Sequence, residues 1–104
     1  MTTICPGDII ARADALDECV KLGDYAGFHT ELLDLCKDAS EELKQKQFKF
    51  EALVLHGEFT QLKTKSRTRM ISEDDFGMQT RRILFQGLEL KEEVVAAYHS
   101  KAPQ

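Results

Sequence analysis

Residues 48–76 read FKFEALVLHGEFTQLKTKSRTRMISEDDF, and this stretch decides the fold. Its first half places Phe48, Ala52, Leu55, Phe59 and Leu62 at spacings of four, three, four and three. That is one face of a 3.6-residue period, and it predicts a helix over residues 48–67. Phe50 and Val54 are expected to add apolar mass to it. After Leu62 the apolar residues stop and the chain turns basic through Lys63, Lys65, Arg67 and Arg69. A basic last turn suits the negative end of a helix dipole. The second half then opens a new helix. In Ile71-Ser72-Glu73-Asp74-Asp75-Phe76, Ser72 is an N-cap followed by three acids in the first turn. Asp75 occupies the third helical position, where a capping box normally has Glu, and Ile71 and Phe76 hold the two positions of a hydrophobic staple.

Downstream, this helix is expected to run to about residue 98, with Phe76, Ile83, Leu84, Leu88, the Lys91 stem and Val95 facing inward. Gly87 interrupts it and reads as a place of close helix approach. The tail, residues 99–104, is expected to fray. Upstream, Asp8 is a good N-cap for a first helix over residues 8–22, with Ile9, Ala13, Leu16 and Val20 on one face and Ile10 and Cys19 widening it. Gly23 supplies the stop and Asp24 caps the next helix. That second helix carries Tyr25, Phe28, Leu32, Leu35 and Ala39 on a stripe broadened by Leu33 and Cys36. Gly27, which costs about 1 kcal/mol against Ala inside a helix, is expected to permit close packing. A break or kink falls between Asp38 and Gln47. Either Ser40 caps a new helix there, or the pattern continues through Leu43 to the polar residues 44–47.

Helices joined by short turns predict an all-α fold, a compact antiparallel or Greek-key-like bundle of four to five helices. At 104 residues the chain reads as a single domain, 1–104, with an ordered core over about 8–98. Proline occurs only at Pro6 and Pro103, which leaves the helices free to run. No window approaches the ~20 apolar residues of a membrane-spanning helix. The opening MTTICPGD lacks the basic and apolar regions of a signal peptide, so the expected compartment is the cytoplasm.

Catalytic chemistry finds little footing. Cys5, Cys19 and Cys36 are odd in number and widely spaced, which suits neither a disulfide framework nor a metal knuckle. Cys19 and Cys36 lie on apolar stripes, where a thiol behaves as a small hydrophobe, and Cys5 is expected to be exposed. His29, His56 and His99 each stand alone on a helix, and His29 and His56 are expected at the core edge or on the surface. The six glycines are scattered singly, so no phosphate loop is present. The run Glu73-Asp74-Asp75 lacks the alternation of a calcium loop, and a helix first turn explains it. Glu41-Glu42 and Glu92-Glu93 read as solvated helix faces. No catalytic residue, cofactor or metal site is assigned.

Charge is more informative. The formal net charge is -4, yet residues 59–82 carry a local balance of +3 through Lys63, Lys65, Arg67, Arg69, Arg81 and Arg82. Residues 1–58 carry -6. The bland explanation is a solvated helix end with Glu73 to Asp75 as counter-charges. The sharper one is a bipolar surface whose basic end meets the acidic helices of a partner, since complementary patches steer encounter and fix orientation.

The stretch LVLHGEFTQLKTKSRTRMISEDDFGMQTRRILFQGLEL, residues 53–90, resembles the core motif of bacterial effector-associated domains, type eleven. Gly57, Phe59 and Leu62 match the motif's apolar helix, Ile71, Ser72 and Asp74-Asp75 fit its turn, and Arg82-Ile83 fits its Arg-Ile pair. Glu58 and Thr60 stand where Arg and Asn are usual, Arg81 replaces Asn, and Gln86-Gly87-Leu88 replaces Ala-Leu-Leu. Leu22-Gly23-Asp24-Tyr25 and Leu32-Leu33 are similar to the family's opening helical pair, so the resemblance spans most of the chain. It implies a death-fold-like adaptor in role, in which a copy fused to a signalling ATPase pairs with another fused to an effector in bacterial conflict and antiphage systems. The expected partner is then another helical domain of the family, with a homo-oligomer possible. The candidate contacts are Lys63, Lys65, Arg67, Arg69, Arg81 and Arg82, joined by Glu58.

Two other classes stay open. One is a small regulatory protein that binds an enzyme or a phage protein through an apolar helical groove. The other, ranked last, is a nucleic-acid binder, because no stacking aromatics interleave the basic cluster and the rest of the chain would repel phosphate.

Overall fold

A computed structural model describes the backbone of residues 6–101 and the side chains of residues 11–100. Four helices follow one another: α1 (Pro6–Lys21), α2 (Tyr25–Leu43), α3 (Gln47–Arg67) and α4 (Glu73–Lys101). No strand occurs among the described residues. Three short connections fold the chain up and down. α2 and α4 touch across the centre, α1 packs against both on one side and α3 against both on the other. The result is an all-α bundle with long axis 51 Å and cross-section 25 × 20 Å.

The helix ends are built by local chemistry. α1 closes with a Schellman motif: the Asp24 amide donates to the Cys19 carbonyl at 2.8 Å and the Gly23 amide to Val20 at 3.1 Å. Gly23 takes φ 74°, the left-handed conformation this motif requires. The Asp24 carboxylate then accepts from the Gly27 amide at 3.0 Å and caps α2. A Cβ at Gly27 would run into that carboxylate, so Gly27 serves the cap rather than the helix packing expected of it. α2 ends at Leu43, followed by Lys44 at φ 58°. The pattern thus continues through Leu43, and Ser40 opens no helix of its own: its hydroxyl, buried in α2, accepts from the Lys49 amide at 2.9 Å in the first turn of α3. At α4 the Ser72 hydroxyl accepts from the Asp75 amide at 3.2 Å, and Ile71 and Phe76 are half-buried against the core, as a staple requires.

The core draws on all four helices. α3 contributes Phe48, Ala52, Leu55, Phe59 and Leu62, the expected row. α2 contributes Phe28, Leu32, Leu35, Cys36 and Ala39, with Leu16 entering from α1. α4 departs from expectation. Ile83 and Leu84 are buried as expected, but the inner row also includes Thr80, Gly87, Leu90, Val94 and Tyr98, while Phe76, Leu88 and Val95 are only half-buried against the core. Gly87 is where α4 meets α2: a Cβ there would stand 2.7 Å from Phe28 Cε2 and 3.2 Å from Leu32 Cδ2. Two polar contacts tie α4 to its neighbours. Lys91 Nζ lies 2.8 Å from Asp17 Oδ1 with its side chain only 12% exposed, and the Tyr98 hydroxyl donates to Glu42 at 2.9 Å. Burial and the Glu42 bond push the Tyr98 hydroxyl pKa up.

Further expectations differ from the structure. His29 is not at the edge: it is 2% exposed, wedged between the rings of Phe28 and Phe59 with centroids at 5.1 and 4.7 Å. His56 is half-buried. Phe50 and Val54 do not join the core, being 60% and 58% exposed. α1 starts two residues before the expected Asp8, and α4 runs on to Lys101 through part of the expected tail. Cys5 and the last three residues lie outside the described residues.

Candidate functional site

The outward residues of α3 and α4 form a face whose composition differs from a plain solvated surface. Helical spacing puts Glu51, Val54, Glu58, Gln61 and Lys65 on one stripe of α3. On α4 it aligns Met78, Arg82, Phe85, Gln86, Glu89 and Glu93. The two helices are antiparallel neighbours, and between them opens a groove of about 470 Å³. Phe50, Val54, Leu55 and Leu90 supply its apolar lining; Glu51, Glu58, Glu89 and Glu93 surround them with carboxylates. Phe85, 65% exposed, and Met78 continue the apolar surface along α4.

The expected contact residues separate in space. Lys65 and Arg67 are exposed in the last turn of α3, and Arg69 is exposed in the connection that follows. Lys63 is half-buried, its ammonium 5.7 Å from the Phe59 ring centroid, so part of its charge serves a cation–π contact. Arg81 and Arg82 are neighbours in sequence but point 100° apart around α4. Arg81 Nε donates to its own helix at Gly77, 3.3 Å away, while Arg82 stands on the outward stripe. Glu58 belongs to the opposite, acidic part of the face. Lys65 and Arg82 therefore mark a basic end near the α3–α4 connection. Glu51, Glu58, Glu89 and Glu93 mark an acidic end about two to four turns away. Among the described residues, none of these six side chains takes part in an ion pair.

Sequence reasoning missed Phe50, Val54, Glu51 and Glu89 as surface contributors, and read Glu93 as no more than a solvated helix face. Residue type alone assigned the two apolar ones to the core. The signal that was present is periodic: Phe50 and Val54 fall off the Phe48–Ala52–Leu55–Phe59 row.

The groups with the chemistry for nucleophilic work are placed against it. Cys36 is buried, and loss of solvent pushes its thiol pKa up to about 12, the reverse of an activated thiolate. His29 makes no hydrogen bond to the protein from either ring nitrogen, so it is paired with no nucleophile. Burial, with a smaller contribution from His56, lowers its pKa to about 4. Among the described residues, no group of three or more His, Cys, Asp or Glu is gathered to hold a metal ion. No helix among them is long and apolar enough to cross a membrane. Comparisons of the chain with family models, with curated proteins and with solved structures find no match in any of the three.

Proposed function

We propose that this chain is a non-catalytic adaptor of the cytoplasm that works by pairing with another helical domain, coupling a signalling ATPase or sensor to an effector in bacterial immunity. The observation that carries the reading is the outer face of α3 and α4. Three large apolar side chains, Phe50, Val54 and Phe85, are exposed there beside charges that form no ion pair among the described residues. A folded protein gains nothing in stability from such a surface, whereas an aromatic-bearing patch with polar surroundings is the anatomy of a contact site. The resemblance of residues 53–90 to effector-associated domains supplies the biological setting, and the opposed charge ends supply the means of orientation.

Light scattering behind size exclusion, over a range of protein concentration at low and high salt, tests it. Assembly that grows with concentration and weakens with salt supports homotypic pairing. A monomer under every condition removes it. The acidic, apolar-lined groove favours one second reading, a regulatory protein that seats a basic amphipathic helix of an enzyme or phage protein between α3 and α4.

A further inference from the structure

The outward stripe of α4 has an internal order that the bipolar charge of the chain does not by itself require. Along it stand Met78, Arg82, Phe85, Glu89 and then Glu93, at steps of four, three, four and four. The first steps are those of a coiled-coil seam, in which alternating steps of three and four keep residues facing one partner helix. Arg82 and Glu89 are seven residues apart, which is two helical turns or about 10 Å along the axis. Phe85 lies half a residue from the midpoint between them, 65% exposed. A second helix laid antiparallel on this stripe, centred between Phe85 and Gln86, brings residue 82 of one copy level with residue 89 of the other. The same operation brings 78 level with 93. The stripe is thus self-complementary: turned end for end, its cation meets its anion twice, and the two copies of Phe85 fall one residue, about 1.5 Å, apart along the helix axis.

We propose that two copies of this chain pair through α4 in an antiparallel, two-fold arrangement, with Phe85 at the centre and Arg82 of each copy against Glu89 of the other. Two-fold interfaces are isologous, so one favourable residue pair is made twice. The antiparallel stripe of α3 carries charge in the same sense, with Lys65 toward the N-terminal end of α4 that holds Arg82, and Glu51 lining the groove with Glu93. Asp75, in the first turn of α4, is the acid nearest the cationic end on this stripe, and it lies two turns from Arg82. Arg81 takes no part, its guanidinium being folded back toward Gly77. Closure by a two-fold axis yields a discrete dimer, whereas a head-to-tail contact between opposite ends would leave free surfaces and extend into filaments or rings.

The inference rests on the homotypic reading above, and a charge-swap series separates the two. Arg82→Glu, Glu89→Arg, and the doubly swapped Arg82→Glu/Glu89→Arg are compared with the unaltered chain by sedimentation velocity, with circular dichroism as the check on folding. Both positions are exposed, so helicity is expected to stay unchanged. The unaltered chain is expected to form a dimer. Each single reversal is expected to weaken self-association roughly tenfold or more, by setting like charges against each other. The double swap restores the dimer, as does mixing the two single variants in equal amounts. A chain that self-associates while single reversals leave its affinity unchanged overturns this interface and leaves homotypic pairing intact. Larger, open-ended assemblies also overturn the two-fold arrangement. A chain that stays monomeric at every concentration overturns both.

Discussion

Gly87 lies against the ring of Phe28 so closely that a Cβ on it would stand 2.7 Å from Cε2. Phe28 is fully buried, so its ring can give way only by displacing other core side chains. Gly87→Ala therefore sets two effects against each other. Alanine gains about 1 kcal/mol in helix propensity over glycine. Overpacking a filled core costs about 1–3 kcal/mol. The variant is expected to be destabilised on balance, read as a lower urea midpoint. A variant as stable as the parent would show that α4 can move away from α2 at no cost.

His29 is expected to make the stability of the fold depend on pH. Its folded pKa is lowered to about 4 by burial, with His56 adding to the effect. In the unfolded chain the imidazole titrates near its ordinary value of about 6.5. The unfolded state therefore takes up a proton first as pH falls, and stability present above about 6.5 is lost progressively down to about 4. The loss attributable to this one group is about 3 kcal/mol when complete. His29→Leu, similar in size and without ring nitrogens to bury, is expected to remain folded at neutral pH and to lose less stability over that window. Equal pH slopes for the two proteins would place the acid sensitivity elsewhere.

Arg69 occupies the left-handed position of the Schellman motif that ends α3, at φ 58°. The Met70 amide bonds the Lys65 carbonyl at 2.9 Å and the Arg69 amide bonds Ser66 at 3.3 Å, the pattern that Gly23 serves after α1. A non-glycine residue held there costs about 1 kcal/mol or somewhat more. Arg69→Gly should recover most of that and raise the melting temperature by a few degrees. A lower melting temperature would mean that the arginine side chain contributes more than its backbone strain costs.

Phe59 and Phe50 are the same residue type on the same helix with opposite placements. Phe59 is buried beside His29, and Phe50 lies open on the groove. Phe59→Ala is expected to cost about 3–5 kcal/mol of stability. Phe50→Ala in the monomer is expected to fall within about 0.5 kcal/mol of the parent. Chemical denaturation at low protein concentration measures both, and similar losses for the two would contradict the exposure of Phe50.

Much of the fold was legible because α3 writes its inner face in one residue class. Phe48, Ala52, Leu55, Phe59 and Leu62 were readable as a row and are the residues that α3 buries. The cap chemistry of Asp24 and Ser72 was equally local and is present in the structure. α4 was harder, because its apolar residues surround the helix and its inner row includes Thr80 and Gly87, which no hydrophobicity count selects. His29 was misplaced for the same reason: a polar residue on a buried row looks like an edge residue until the neighbouring helix is known. The candidate face was the least legible. Glu89 and Glu93 become part of one surface with Glu51 and Glu58 only when α3 and α4 are laid side by side. The basic residues were found from charge alone, which could not tell that Arg82 faces outward along the stripe while Arg81 folds back.

The most direct test is a comparison of backbone amide resonances of the isotopically labelled chain at low and high protein concentration. Pairing through the outer face of α3 and α4 should move the amides of Met78, Arg82, Phe85 and Glu89 and those flanking Val54 and Lys65. The amides of α1, on the other side of the bundle, should stay fixed. Concentration-dependent shifts centred on α1, or spectra that superimpose at every concentration, would contradict it.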